Sequence, residues 1–161
     1  MSQQSQQAQQ IVNGYTKGAA AVGLVPVPLA DALLISGIQL KMLQQIAHLY
    51  GEKLADSKRK AVFGSILAAL VPLTLRNQLV SWLKVVPVAG QVVGLLGMST
   101  FSAASTWAIG RVFIQHYEAG GTLLDFDPDK MKNHYLEQFE LGQKVAKSQT
   151  THSADYVGVK P

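Results

Sequence analysis

Val25–Gly51 reads VPVPLADALLISGIQLKMLQQIAHLYG, and its spacing decides the fold. Within it Asp31, Ile35, Gln39, Met42, Ile46 and Tyr50 recur at steps of four, four, three, four and four. At about 100° per residue, these side chains fall on one helical stripe. A stripe that narrow is a docking face, and it carries a carboxylic acid and a carboxamide among its apolar members. These six residues are the candidate interaction stripe.

Outward from that stretch the pattern is helical throughout. An amphipathic helix is expected over about 8–23, ending at the Pro26/Pro28 turn. Pro28 suits the first turn of a second helix, about 28–50, which stops at Gly51. Further helices are expected over about 61–75, 77–86 and 88–117, with Pro72 bending or ending the first of these. Asp127 before Pro128 is a helix-start signal, and a last helix follows over about 128–147. The fold class is therefore all-α, a membrane-associated bundle of about five to six helices around a glycine-rich central helix. The chain divides into a polar Gln-rich start (1–14), a helical domain (15–120), an acidic loop plus amphipathic helix (121–147) and a polar, aperiodic tail (148–161) expected to be disordered. A weak internal echo links Val25-Pro26-Val27-Pro28 to Val86-Pro87-Val88-Ala89, and Tyr50-Gly51 to the region from Tyr117 to Gly120.

At 161 residues the chain suits one domain with a real core. Charged residues make up 15%, against roughly 25% in soluble domains, which points to a membrane or a surface buried on a partner. There are no cysteines, so disulfides, thiolate metal sites and thiol catalysis are excluded. Residues 1–111 carry nine Lys/Arg against three Asp/Glu, and the remainder five against seven. The basic excess lies beside the apolar segments, where anionic lipid headgroups would meet it. Nucleic acid is disfavoured, because the only basic cluster, Lys58-Arg59-Lys60, has no aromatic residue between its charges. The glutamine-rich first ten residues are not a secretory signal and no lipidation motif is present, so the expected side is cytoplasmic.

Between Lys84 and Arg111 lie 26 uncharged residues. As helix they would reach about 39 Å, enough to span a bilayer. Their content is less apolar than that length suggests, since Gln91, Ser99, Thr100, Ser102, Ser105 and Thr106 interrupt the run. Gly90, Gly94, Gly97, Ala104 and Ala108 form a small-residue seam, and Ser99, Ala103, Thr106 and Gly110 form a second line. Three glycines in a helix each cost about 1 kcal/mol, so a close helix neighbour must compensate. The expectation is membrane insertion or stable association, with α-helix 28–50 packed on the seam. The competing reading is a soluble bundle with one tightly packed central helix.

Catalytic and metal patterns are weak. Asp31 lies in the first turn of its helix, where the dipole and free N–H groups favour a carboxylate. The sharper alternative pairs Asp31 and Gln39 with hydroxyls of Ser99, Thr100, Ser105 or Thr106 across a helix interface. Asp125, Asp127 and Asp129 imitate a calcium loop, but Lys130 and Leu136 occupy the positions needing glycine and glutamate, so helix capping explains them better. The four histidines are scattered, with no pair at metal spacing. Gly94 to Thr100 lacks the lysine of a phosphate-binding loop. No cofactor, no metal and no enzymatic activity are expected.

Pro28, Asp31, Gln39, Met42, Ile46-Ala47 and Tyr50-Gly51 resemble the P-x-x-D, Q-x-x-M, I-A-x-x-Y-G signature of a bacterial helical family, domain of unknown function 697. Pro87 to Gly90 and the segment Thr106-Trp107-Ala108-Ile109-Gly110-Arg111 fit its second half, so the resemblance covers about residues 15–120. It implies an inner-membrane address and a link to Era-like or dynamin-like small GTPases. It implies no catalytic residue, and a GTPase would have to come from another chain. The expected function is a membrane-associated accessory module that contacts anionic lipid, works with a GTPase or self-assembles into a homo-oligomer. Its alternative is a soluble, cytoplasmic scaffold that binds a partner protein.

Overall fold

The computed structural model describes residues 2–24, 30–53, 55–83 and 90–156, with side chains over 2–24, 34–53, 55–74 and 97–148. The side chain of Asp31 and the surroundings of Gly90 and Gly94 lie outside the described residues. Among the described residues there are five helices, α1 (Gln3–Val22), α2 (Ala30–Leu49), α3 (Asp56–Leu83), α4 (Gly90–Glu118) and α5 (Pro128–Tyr156), and no strand.

Local chemistry sets four of the helix ends. Ser2 caps α1 by accepting a hydrogen bond from the Ser5 N–H at 3.0 Å. The helix therefore takes in the glutamine-rich start that the sequence reading sets apart. Asp127 caps α5, its Oδ1 accepting from the Asp129 N–H at 3.0 Å and the Lys130 N–H at 3.4 Å. At the other ends, α2 and α4 stop in the same way. Gly51 and Gly120 adopt φ of +77° and +84°, and the following N–H groups reach back to Ala47 and His116. Both ends are Schellman closures, which glycine enters without a Cβ penalty.

Two elements differ from their expected extent. The segments 61–75 and 77–86 join into the single helix α3, with Pro72 inside it. Pro72 is exposed, so the ring meets solvent, and the missing backbone bond is a local cost the rest of the helix absorbs. α5 continues through Tyr156, past the point where periodicity fades at Ser148.

α4 is the central helix and touches each of the other four. α1 runs antiparallel to it: Val12 lies against Gly110, and Ser99 Oγ donates to the Ala20 carbonyl at 2.8 Å. α2 runs parallel to it, from Gln39 beside Ser105 to Tyr50 stacked on Tyr117. α5 returns antiparallel, bringing Tyr135 beside Ser105 and Phe139 to Phe101. From Phe101 to Thr106 every residue of α4 is buried, the mark of a helix enclosed on all sides.

Close approach happens where small residues face each other. A Cβ on Gly142 would stand 3.0 Å from Ala104 backbone atoms, and one on Gly110 would meet the Val12 and Met42 side chains. α2 is thus met by the second line of α4, at Thr106 and Gly110, while Ala104 of the seam faces α5. Residues 104 and 106 are about 200° apart around a helix, so one line cannot serve both neighbours. No helix among the described residues is long and apolar enough to cross a membrane. Of the hydroxyl residues that dilute α4, Ser102, Ser105 and Thr106 are buried inside the bundle.

Candidate functional site

A polar network runs through the bundle centre. Gln39 Nε2 donates to Ser105 Oγ at 3.1 Å and to Thr106 Oγ1 at 3.4 Å. The Tyr135 hydroxyl lies 3.2 Å from Ser105 Oγ and 3.4 Å from Thr74 Oγ1. These five residues come from α2, α3, α4 and α5, and all are buried. Burial pushes the Tyr135 phenol up, so it stays neutral and can both donate and accept. Buried polar groups need such partners, and these find them in one another. The network specifies register between four helices.

The candidate stripe on α2 faces this interior. Ile35, Gln39, Met42 and Ile46 are buried, and Tyr50 is half-buried with its ring centroid 5.1 Å from that of Tyr117. Of the seam on α4, Ala104 and Ala108 are buried and Gly97 is half-buried. The stripe and α4 are therefore brought together, through Ser105, Thr106 and Gly110.

At the end of the bundle where α2 and α4 stop, aromatic rings close the core. Phe113 stacks on Phe126 at 4.4 Å and meets Phe63 edge-on at 5.5 Å. The loop after α4 is held by two carboxylates: Glu52 Oε2 accepts from the Leu123 N–H at 2.9 Å, and Asp125 Oδ1 accepts from the Thr122 N–H at 2.7 Å. A His116 ring nitrogen sits 2.9 Å from the same Asp125 oxygen and 2.7 Å from the Thr122 carbonyl. The Thr122 N–H, with help from His116, holds the Asp125 carboxyl below the usual carboxylate range. Burial, and then the nearby Glu52 charge, push the Tyr117 phenol well above its ordinary value. Among the described residues no three acidic or histidine side chains come together as metal ligands.

That depressed carboxyl has a pH signature. A group with a lowered folded value adds stability above its unfolded value, near 4, and loses it as pH falls through the folded value. Wild type is therefore expected to be more stable than Asp125→Asn at pH 6, with the gap closing below about pH 4. Thermal melts across pH 2–7 check this. A gap of the same size at the acid end would show that the charge on Asp125 does not hold the loop.

The surface feature with binding chemistry is a furrow between α2 and α3, which run antiparallel. Its apolar section, about 390 Å³, is lined by Ser36, Gly37 and Leu40 of α2 and by Gly64, Leu67, Ala68, Val71 and Pro72 of α3. A Cβ on Gly37 or Gly64 would meet nothing within 4 Å, so the missing side chains leave the channel open. Leu34, one turn before Gly37, is 53% exposed. One turn along each helix, at Lys41 and Lys60, the furrow turns basic. There it opens into a cleft of about 350 Å³ lined by Lys41, Gln44, Gln45, His48, Asp56, Arg59 and Lys60, with Tyr15 of α1. Sequence reasoning singles out Lys58-Arg59-Lys60 and misses Lys41 and Tyr15. The legible signal was the same-face spacing of Gly37 with Lys41 and of Lys60 with Gly64. That the two faces form one channel needs tertiary structure.

Comparison with known proteins places the chain. It is 34% identical over 140 residues to magnetosome membrane protein 22 of Magnetospirillum gryphiswaldense, covering 86% of this chain and 72% of that protein. No solved structure matches it. The family described as domain of unknown function (DUF697) matches over residues 1–144, which takes in α1 and most of α5 as well as the segment carrying the signature. This chain belongs to that DUF697 family.

Proposed function

We propose that the protein is a peripheral membrane module that rests the α2–α3 furrow on an anionic bilayer surface and has no catalytic step of its own. The observation that carries this reading is the furrow itself: an exposed apolar channel whose one end is bordered by Lys41 and Lys60. Apolar surface of this kind gains from contact with acyl chains, and lysines beside it gain from anionic headgroups. A relative named a magnetosome membrane protein supports the same address. Attachment from one side, by a folded bundle, suits a chain whose described helices are too short or too polar to cross a membrane. On the family resemblance, the attached module works with a small GTPase supplied by another chain or with further copies of itself.

Vesicle flotation of the full chain tests this. Wild type is expected to float with phosphatidylglycerol vesicles at about 0.1 M salt, and less at about 1 M, where charges are screened within about 3 Å. Ala68→Glu places a carboxylate in the apolar channel at an exposed position, so several-fold weaker flotation is expected at an unchanged Tm. Wild type that stays with the soluble fraction at low salt, or an Ala68→Glu variant that floats equally well, overturns the reading. Co-purification of the membrane-bound protein under mild detergent tests the partner.

A further inference from the structure

The cleft at the basic end of the furrow has chemistry of its own. Lys41 and Lys60 are exposed at its mouth and carry no ion pair among the described residues. Arg59 also lines it, yet the residue is only 8% exposed, and its Nε is buried without a hydrogen-bond partner. A buried guanidinium with an unused donor is costly, and such a group in a native protein calls for a partner. Asp56 pairs with Arg59 Nη2 at 2.5 Å but is itself largely exposed, so its charge is directed at Arg59 and screened by water. The uncompensated charge at the mouth is that of the two lysines.

Backbone geometry adds to the side chains. Asp56 is the first residue of α3, so the cleft opens at the N-terminal turn of a 28-residue helix. The free N–H groups and the dipole of such a turn favour an anion. Gln44 and Gln45 bring amide donors from α2, and Tyr15 brings a hydroxyl from α1. At about 350 Å³ the cleft holds roughly ten water volumes, more than a bare inorganic ion fills. Several cationic donors, a helix start and neutral donors around one concavity match a tetrahedral oxyanion with a group attached.

We propose that this cleft binds a phosphate group, carried by a lipid headgroup or by a soluble phosphate. It goes beyond membrane attachment, because a soluble phosphate would be held by the same residues without a bilayer. The Arg59 guanidinium and the unpaired ammonium groups of Lys41 and Lys60 are its cationic contacts, with Asp56 keeping the guanidinium in place.

Amide NMR titration of the full chain with inorganic phosphate, against sodium chloride at matched ionic strength, tests the proposal. Saturable shifts are expected in Ala55 to Lys60 and in Lys41 to His48. The double variant Lys41→Gln/Lys60→Gln should bind phosphate about tenfold more weakly or worse, since each lysine contributes to anion attraction. Lys130→Gln/Lys132→Gln removes the same charge from exposed positions on α5 and should bind as wild type does. Ala68→Glu, placed in the apolar section, should also keep phosphate binding, so failure of the membrane reading leaves this one standing. Phosphatidic acid vesicles give the second arm. Inorganic phosphate that displaces the protein from them assigns a lipid headgroup; saturable phosphate binding with no such competition assigns a soluble ligand. No saturable shift, or equal weakening in the two double variants, overturns the proposal in favour of general charge attraction.

Discussion

Phe113→Ala is expected to cost about 3–5 kcal/mol, the range for removing a fully buried aromatic ring from a packed core. Phe113 is the ring on which the closed end of the bundle converges. It stacks on Phe126 from the loop before α5, meets Phe63 of α3 edge-on, and lies 6.1 Å from Tyr117 on its own helix. Alanine leaves a cavity bordered by three aromatic rings, and rigid rings collapse into space poorly. The loop 119–127 would lose one of its apolar anchors, the ring stacked on Phe126. In a chain of this size the loss corresponds to a Tm lower by roughly 6–20 °C. Calorimetry checks the size, and hydrogen exchange at the Leu123 N–H checks the place. A variant within about 1 kcal/mol of wild type would mean the aromatic cluster is not the clamp described here.

Gln39→Ala is expected to be nearly as damaging, at about 2–4 kcal/mol. It removes a fully buried side chain and leaves Ser105 and Thr106 without a donor they now share. Gln39→Met separates these two losses. Methionine keeps most of the volume, so only the loss of the amide's bonds to Ser105 and Thr106 remains, at about 1–3 kcal/mol. Tyr135→Phe acts on the same network from α5 by deleting the hydroxyl beside Ser105 and Thr74. Because both substitutions act through Ser105, the double variant should depart from additivity by at least about 0.5 kcal/mol. Strict additivity in urea melts would show that Gln39 and Tyr135 sit in separate hydrogen-bonded pairs, and the idea of one network linking four helices would fall.

A centrally buried polar network has a consequence for how this fold chooses its register. Apolar contacts along α4 are interchangeable by a turn, since alanine, valine and isoleucine pack in several offsets. The Gln39 amide is less interchangeable: one turn further along α4 it would face Ile109 and Gly110, which carry no hydroxyl, and an unpaired buried amide is costly. The same hydroxyls that make α4 a poor membrane span therefore make it a well-defined central helix. The twin closures at Gly51 and Gly120, with Tyr50 stacked on Tyr117, fix the parallel pair α2–α4 at its other end.

Much of this was legible in residues alone, for reasons that are local. Steps of three and four from Ile35 to Ile46 place four side chains on one face of α2, and all four are buried. Asp127 before Pro128 starts α5, and glycine after Tyr50 and after Ala119 ends α2 and α4, because capping and positive φ depend only on neighbours in sequence. The family signature lies in the same positions. Periodicity cannot say which helix a face will meet. α4 carries small residues on two lines about 200° apart, and only the packed bundle sends Ala104 to α5 and Gly110 to α1 and α2. Likewise 26 uncharged residues read as a span until the Ser105 hydroxyl among them is seen to face Gln39 and Tyr135, partners 66 and 30 positions away in the chain. The furrow is the extreme case: Lys41, Arg59 and Tyr15 share no local pattern, and their charge and shape become a cleft only when three helices stand side by side.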